Sequence, residues 1–172
     1  MKSLTFALAG AFALVSATAW AQAPTDAQIA SIVVTANQVD IDAGALAVER
    51  ATNADVKAFG QMMQTDHAGV NKAAVELVTR LKVTPEDNPT SRSLKEDGDK
   101  NLAHLRTLSG AAFDRAYIAQ EVAYHQAVLD AVDKTLVPSA RHADLKALLV
   151  KVRPAFVAHL ERAKQIQTTL GN

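Results

Sequence analysis

Residues 143–170 read ADLKALLVKVRPAFVAHLERAKQIQTTL, and two columns at heptad spacing run through them. Leu145, Val152, His159 and Ile166 form one column, and Leu149, Phe156, Ala163 and Leu170 form the other. Apolar residues recurring every three and four positions give a helix one dry face and one wet face. This stretch is therefore an amphipathic helix that must pack against other helices. Pro154 removes the bond to the Val150 carbonyl, which predicts a bend or a loosening about a turn before His159.

Working back along the chain, Val137-Pro138-Ser139 reads as the turn into this helix. A helix from about Ala111 to Leu136 precedes it, with Phe113, Tyr117, Val128 and Val132 inward. Ser109-Gly110 closes a weaker helix that Asn88 caps and Pro89 starts, carrying Leu94, Leu102, Leu105 and Leu108, with Gly98 weakening its middle. The stretch from Val83 to Thr90 is a loop. Before it, Asn53 caps a helix marked by Val56, Phe59, Met63, Val70, Ala74, Leu77 and Leu81. Thr25 and Gln28 have capping-box spacing and open a first helix to about Thr52. With so little chain between them, the first two helices form a tight antiparallel hairpin.

The fold expected is all-α, a ferritin-like four-helix bundle with an additional short helix in the crossing between the second and third long helices. If the crossing helix runs back along the bundle, those two long helices are parallel. An up-and-down bundle with an extra small helix is the competing topology.

The 172-residue chain has no cysteine, so neither disulfides nor thiolate metal sites hold it. Its 18 basic and 18 acidic side chains balance, and losing Lys2 leaves 17 against 18. Such a surface has no electrostatic pull on nucleic acid or anionic lipid. Residues 1–21 read as a cleavable signal peptide: Lys2, an apolar run from Leu4 to Val15, then Ala19-Trp20-Ala21 before a cut at Gln22. The run is short for a membrane anchor, which is the alternative reading. A bundle domain over residues 22–172, periplasmic and without stable membrane insertion, is the expectation.

Chemistry concentrates mid-helix. His67, His125 and His159 interrupt stripes that are otherwise apolar, and Asp40 interrupts a face of small residues, Ala36, Gly44, Ala47 and Ala51. Asp40 lies 13 residues before Asn53 and His67 lies 14 after it, so in an antiparallel hairpin they share a level. Glu121 lies 15 residues before Leu136 and His159 lies 16 after Ala143, so these two match as well, with His125 a turn away. Asp40, His67, Glu121, His125 and His159 form the candidate site for one transition-metal ion; zinc, iron, copper and manganese all suit such donors. The competing account is a buried His/acid network that fixes helix register.

Other polar residues read as structural. Asp66 falls at the surface or an edge because it adjoins His67. Asp114 sits where a helix N-terminus favours an acid. Tyr117 and Tyr124 pack with tethered hydroxyls, while His104 and His142 are exposed.

The segments Asp40-Ile41-Asp42-Ala43-Gly44-Ala45-Leu46-Ala47, Met63-Gln64-Thr65-Asp66-His67, Ser109 through Tyr117, and His159-Leu160 resemble an exported bacterial family, the domain of unknown function numbered 4142. The resemblance covers the mature chain. It implies a ferritin-like fold behind a signal peptide, often in Gram-negative bacteria, and implies no established activity. Where that family usually carries Glu, this chain has the shorter Asp40. Ferritin-like di-metal enzymes use Glu-x-x-His on two helices. Here Glu121 and His125 are spaced one residue wider, which argues against di-iron oxygen chemistry.

The leading expectation is a non-catalytic periplasmic bundle holding a metal, with a role in envelope stress or metal handling. Its rivals are a metal-dependent oxidase or hydrolase with Glu121 as general base, and a structural or partner-binding bundle.

Overall fold

The computed structural model describes residues 23–171; the signal-peptide reading of residues 1–21 lies outside them. Within the described residues the chain is all-α. Four of the described helices exceed twenty residues: α1 Asp26–Arg50, α2 Ala54–Arg80, α4 Gly110–Ala131 and α6 Ala143–Thr169. No described helix is long and apolar enough to cross a membrane.

The helix starts follow from their caps. The Thr25 hydroxyl and the Gln28 side chain close a capping box on α1. Asn53 accepts from the amides of Asp55 and Val56 at the start of α2. Asn88 and Ser91 cap α3, Pro89–Arg106, whose first residue is the expected proline. The crossing helix is 18 residues long rather than short, about 27 Å at 1.5 Å per residue, enough to run back along most of α1.

End contacts give the directions. Near the start of α3, the Asn88 side chain donates to the Gln28 carbonyl, beside the start of α1. At the far end of α3, Arg50 donates to the Arg106 carbonyl, beside the end of α1. α4 therefore starts where α2 starts, and those two helices run parallel. Asp26 at the start of α1 accepts from the amides of Arg141 and His142 just before α6, so α6 runs antiparallel to α2 and α4.

α1 and α2 approach closely at Gly44 and Gly60. A Cβ on Gly44 would lie 2.6 Å from the Gly60 carbonyl oxygen, so the small-residue face expected on α1 does seat another backbone. Gly98 has a similar use. A Cβ there would meet Val39 Cγ2 at 2.7 Å, so this glycine admits α3 against α1 rather than merely weakening its helix.

Two expectations are corrected. Val137-Pro138-Ser139 is a helical turn, α5, reached from α4 through a π-helical segment, Val132–Leu136. Pro138 lies within this continuation and has no N–H to donate, whereas the Val137 amide before it bonds the Val132 carbonyl. The reversal falls at Ala140–His142 instead. α1 also stops at Arg50, short of Thr52, because the amides of Thr52 and Asn53 turn out to the Asp114 carboxylate. α6 continues unbroken through Pro154, which lies on its exposed face.

Apolar packing is divided along the bundle axis. One cluster includes Ala47, Val56, Phe59, Met63, Phe113, Tyr117, Ile118 and Ile166. A second, toward the α5 end, includes Ile29, Ile32, Leu77, Val132, Leu145 and Leu149. Between them, on each of the four long helices, sits a buried polar residue.

Candidate metal centre

All five residues named from sequence are buried and meet in that middle layer. One ligand atom from each of His67, His125 and His159 lies within 4.8 Å of the others, and the same holds for Asp40, Glu121 and His125. The shared level inferred for Asp40 and His67 appears as 3.4 Å between Asp40 Oδ2 and His67 Nε2. His125 joins the layer despite its one-turn offset. Helical side chains lean toward the N-terminus, and its ring leans back so that Nδ1 sits 3.1 Å from the Glu121 carbonyl oxygen.

Each imidazole is anchored by one nitrogen. His67 Nδ1 is 2.7 Å from Asn37 Oδ1, and the Asn37 amide is itself oriented by donating to the Val33 carbonyl. His159 Nε2 is 2.9 Å from Asp66 Oδ2. A carbonyl or carboxylate partner requires N–H on the anchored nitrogen, which assigns the lone pair to the other one. Those other nitrogens are His67 Nε2, His125 Nε2 and His159 Nδ1, all buried and without a hydrogen-bond partner among protein groups. Glu121 Oε2 is in the same condition.

An unpartnered buried polar atom costs about 1–3 kcal/mol. Two of the four keep a polar contact at 3.4 Å, His67 Nε2 with Asp40 Oδ2 and Glu121 Oε2 with His125 Nδ1, while His125 Nε2 and His159 Nδ1 carry the cost outright. A cation accepting those lone pairs removes the cost, and the anchoring pattern is that of metal-ligating histidines.

Charge points the same way. Burial, then the neighbouring His125 and His159, lowers His67 to a pKa of about 3, so at neutral pH it is an uncharged donor. His159 is also lowered by burial, against the pull of Asp66. Asp40 holds its proton far more firmly than an ordinary carboxyl, first through burial and then through Glu121 beside it. The Phe156 ring stacks on His67 at 5.4 Å between centroids and walls the layer on one side.

Asn37 and Asp66 were not assigned to the site from sequence. Asn37 lies one turn before Asp40 on the same helix face, a spacing that marks it as a neighbour. Asp66 is half exposed, as its adjacency to His67 implies, yet it reaches across to α6. Asp114 is not a dipole acid, since it falls past the first turn of α4; it is buried and accepts from Thr52 and Asn53. Tyr124 donates its tethered hydroxyl to the Ala36 carbonyl, whereas the buried Tyr117 hydroxyl has no such partner.

A family model described as "Domain of unknown function (DUF4142)" matches residues 12–166. No curated protein and no solved structure matches the chain.

Proposed function

Because the chain belongs to the DUF4142 family, a domain of unknown function, its role is argued from its own residues, and we propose that it is an exported, ferritin-like metal-binding bundle. His67, His125 and His159 hold one transition-metal ion, with Asp40 and Glu121 supplying oxygen donors beside them. One observation carries this reading. Three buried imidazoles, each anchored by one nitrogen, present the other nitrogen unpartnered to a common centre.

The neighbouring α1–α4 and α2–α6 pairs, with the crossing helix α3, support the ferritin-like plan. The leader-like residues 1–21 support export to the periplasm, and there the protein serves in metal handling or envelope stress. Imidazole and carboxylate donors suit zinc, copper, iron or manganese.

Elemental analysis of the protein, purified from the periplasm without a polyhistidine tag or chelator, tests the proposal. About one equivalent of a single transition metal, lost in His67→Ala or His159→Ala with helicity retained, is the expected result. Trace metal, with no thermal shift on adding zinc, copper or iron, leaves a buried polar network and sinks the metal reading. The unpartnered Glu121 Oε2 favours a second reading, a metal-assisted hydrolase with Glu121 as base. That reading requires turnover that disappears in Glu121→Gln.

A further inference from the structure

A cavity of about 930 Å³ opens between α1, α3, α4 and α6 and ends on the polar layer. Its walls are apolar, with Ile32, Val33, Val128, Val132, Leu149 and Val152 prominent. Asp40 and His67 close its inner end, while Pro24 and Thr25 stand at the start of α1. The volume is at the upper end of the range for small-molecule sites, about 300–1,000 Å³, and apolar walls with a few convergent polar groups are the usual composition of such sites.

Charge narrows the class of occupant. Among the described residues no Lys or Arg lines the cavity; of its two acids, Asp97 is exposed and paired with Lys100, and Asp40 is buried at the polar layer with no Lys or Arg beside it in the lining. Beside Asp40 a buried anionic head would find no protein cation in the lining to offset it. A purely apolar end would leave the polar atoms of the floor unpaired. A neutral oxygen head avoids both costs, because a hydroxyl can donate to and accept from a carboxyl group.

The geometry points to a binding site for an aliphatic molecule with a neutral hydroxyl head, its head at Asp40 and His67 and its chain along the apolar walls toward Pro24. Long-chain alcohols are the simplest members of this class. The inference goes beyond the metal reading and does not require it, since the cavity walls and the acid at its floor are present with or without an ion.

The test uses the exported protein and the neutral dye N-phenyl-1-naphthylamine, displaced by 1-decanol or by decanoate at pH 7.5. Decanol is expected to displace the dye, and decanoate to need about a tenfold higher concentration. In Ala127→Trp, which places a large ring in the cavity from an exposed position on α4, decanol uptake should fall at least about tenfold with the helical circular dichroism unchanged. Ala131→Trp, from the same wall, serves if the first variant does not fold.

Equal displacement by decanol and decanoate overturns the placement of the head on the acidic floor, and this comparison on the unsubstituted protein decides by itself. Decanol uptake unchanged in a folded tryptophan variant overturns the cavity as the site. No uptake of dye or alcohol overturns the inference outright. Running each titration in chelator and again with zinc keeps the two readings apart. Alcohol uptake without metal binding retains this inference and sinks the metal site, and metal binding without alcohol uptake does the reverse.

Discussion

Asp66 Oδ2 lies 2.9 Å from His159 Nε2, joining a carboxylate at the edge of α2 to a ring buried on α6. The Asp66 side chain is 44% exposed and that of His159 only 3%, so the acid holds the ring from outside the layer. Its effect is on the tautomer: with Nε2–H held by Asp66, the lone pair falls on the buried Nδ1.

Asp66→Ala should therefore weaken metal binding without unfolding the bundle. Loss of an outer partner of a ligating histidine costs about 10–100-fold in affinity. Competition against a chromophoric zinc chelator measures this, with circular dichroism as the check on folding. Unchanged affinity would mean that His159 is not held for a metal.

Gly44→Ala and Gly69→Ala should move stability in opposite directions although both replace a glycine inside a helix. Alanine at Gly44 puts a methyl 2.6 Å from the Gly60 carbonyl oxygen, so two backbones must part. That should cost about 1–3 kcal/mol. At Gly69 a Cβ meets nothing within 4 Å, and the helix gains about 0.5–1 kcal/mol. Urea unfolding of both variants decides it; the same sign for both would remove the close α1–α2 approach from the account.

The contribution of His67 to the stability of the metal-free protein should fall on acidification from pH 7 toward pH 4.5. His67 titrates near 6.5 when unfolded but near 3 when folded, so between those values the unfolded chain takes a proton that the folded chain refuses. Its contribution is full above 6.5 and shrinks as pH falls, by at most about 1.4 kcal/mol per pH unit. His159 is lowered in the same direction. Asp40 opposes both: its raised pKa makes its contribution full in strong acid and lost as pH rises. His125 and Glu121 face the same layer. Unfolding in chelator at several pH values should show that acidification removes less stability from His67→Gln than from the unsubstituted protein, and an unaltered pH dependence would deny that the buried His67 stays neutral.

Asp114→Ala should destabilise by about 3 kcal/mol. It removes a buried carboxylate that accepts from the Thr52 amide, the Thr52 hydroxyl and the Asn53 amide. Asp114→Asn, which keeps an acceptor, should recover part of the loss in the same urea assay.

Counting residues outward from Asn53 was enough to set Asp40 level with His67, because an antiparallel hairpin converts sequence distance directly into height. The columns of α6 were equally readable, and His159 is as buried as its apolar companions Leu149, Phe156 and Ile166. What periodicity could not supply was the partner across the bundle. Asp66 and Asp114 each act on a different long helix or its turn, and helical spacing says nothing of which helix lies opposite. The π segment at Val132–Leu136 was illegible for another reason: one extra residue in a turn leaves the apolar spacing nearly unchanged.

The two turns of the bundle are closed by reciprocal loans. Asp114, at the start of α4, completes the turn between α1 and α2, and Asp26, at the start of α1, completes the turn before α6. Neither hairpin can finish its own reversal alone. Before the hairpins dock, these turn amides have no carboxylate of their own hairpin to bond. A chain interrupted before α4 would lack the acceptor that its first turn uses, so the closing of that turn belongs to the assembled protein and not to the hairpin that contains it.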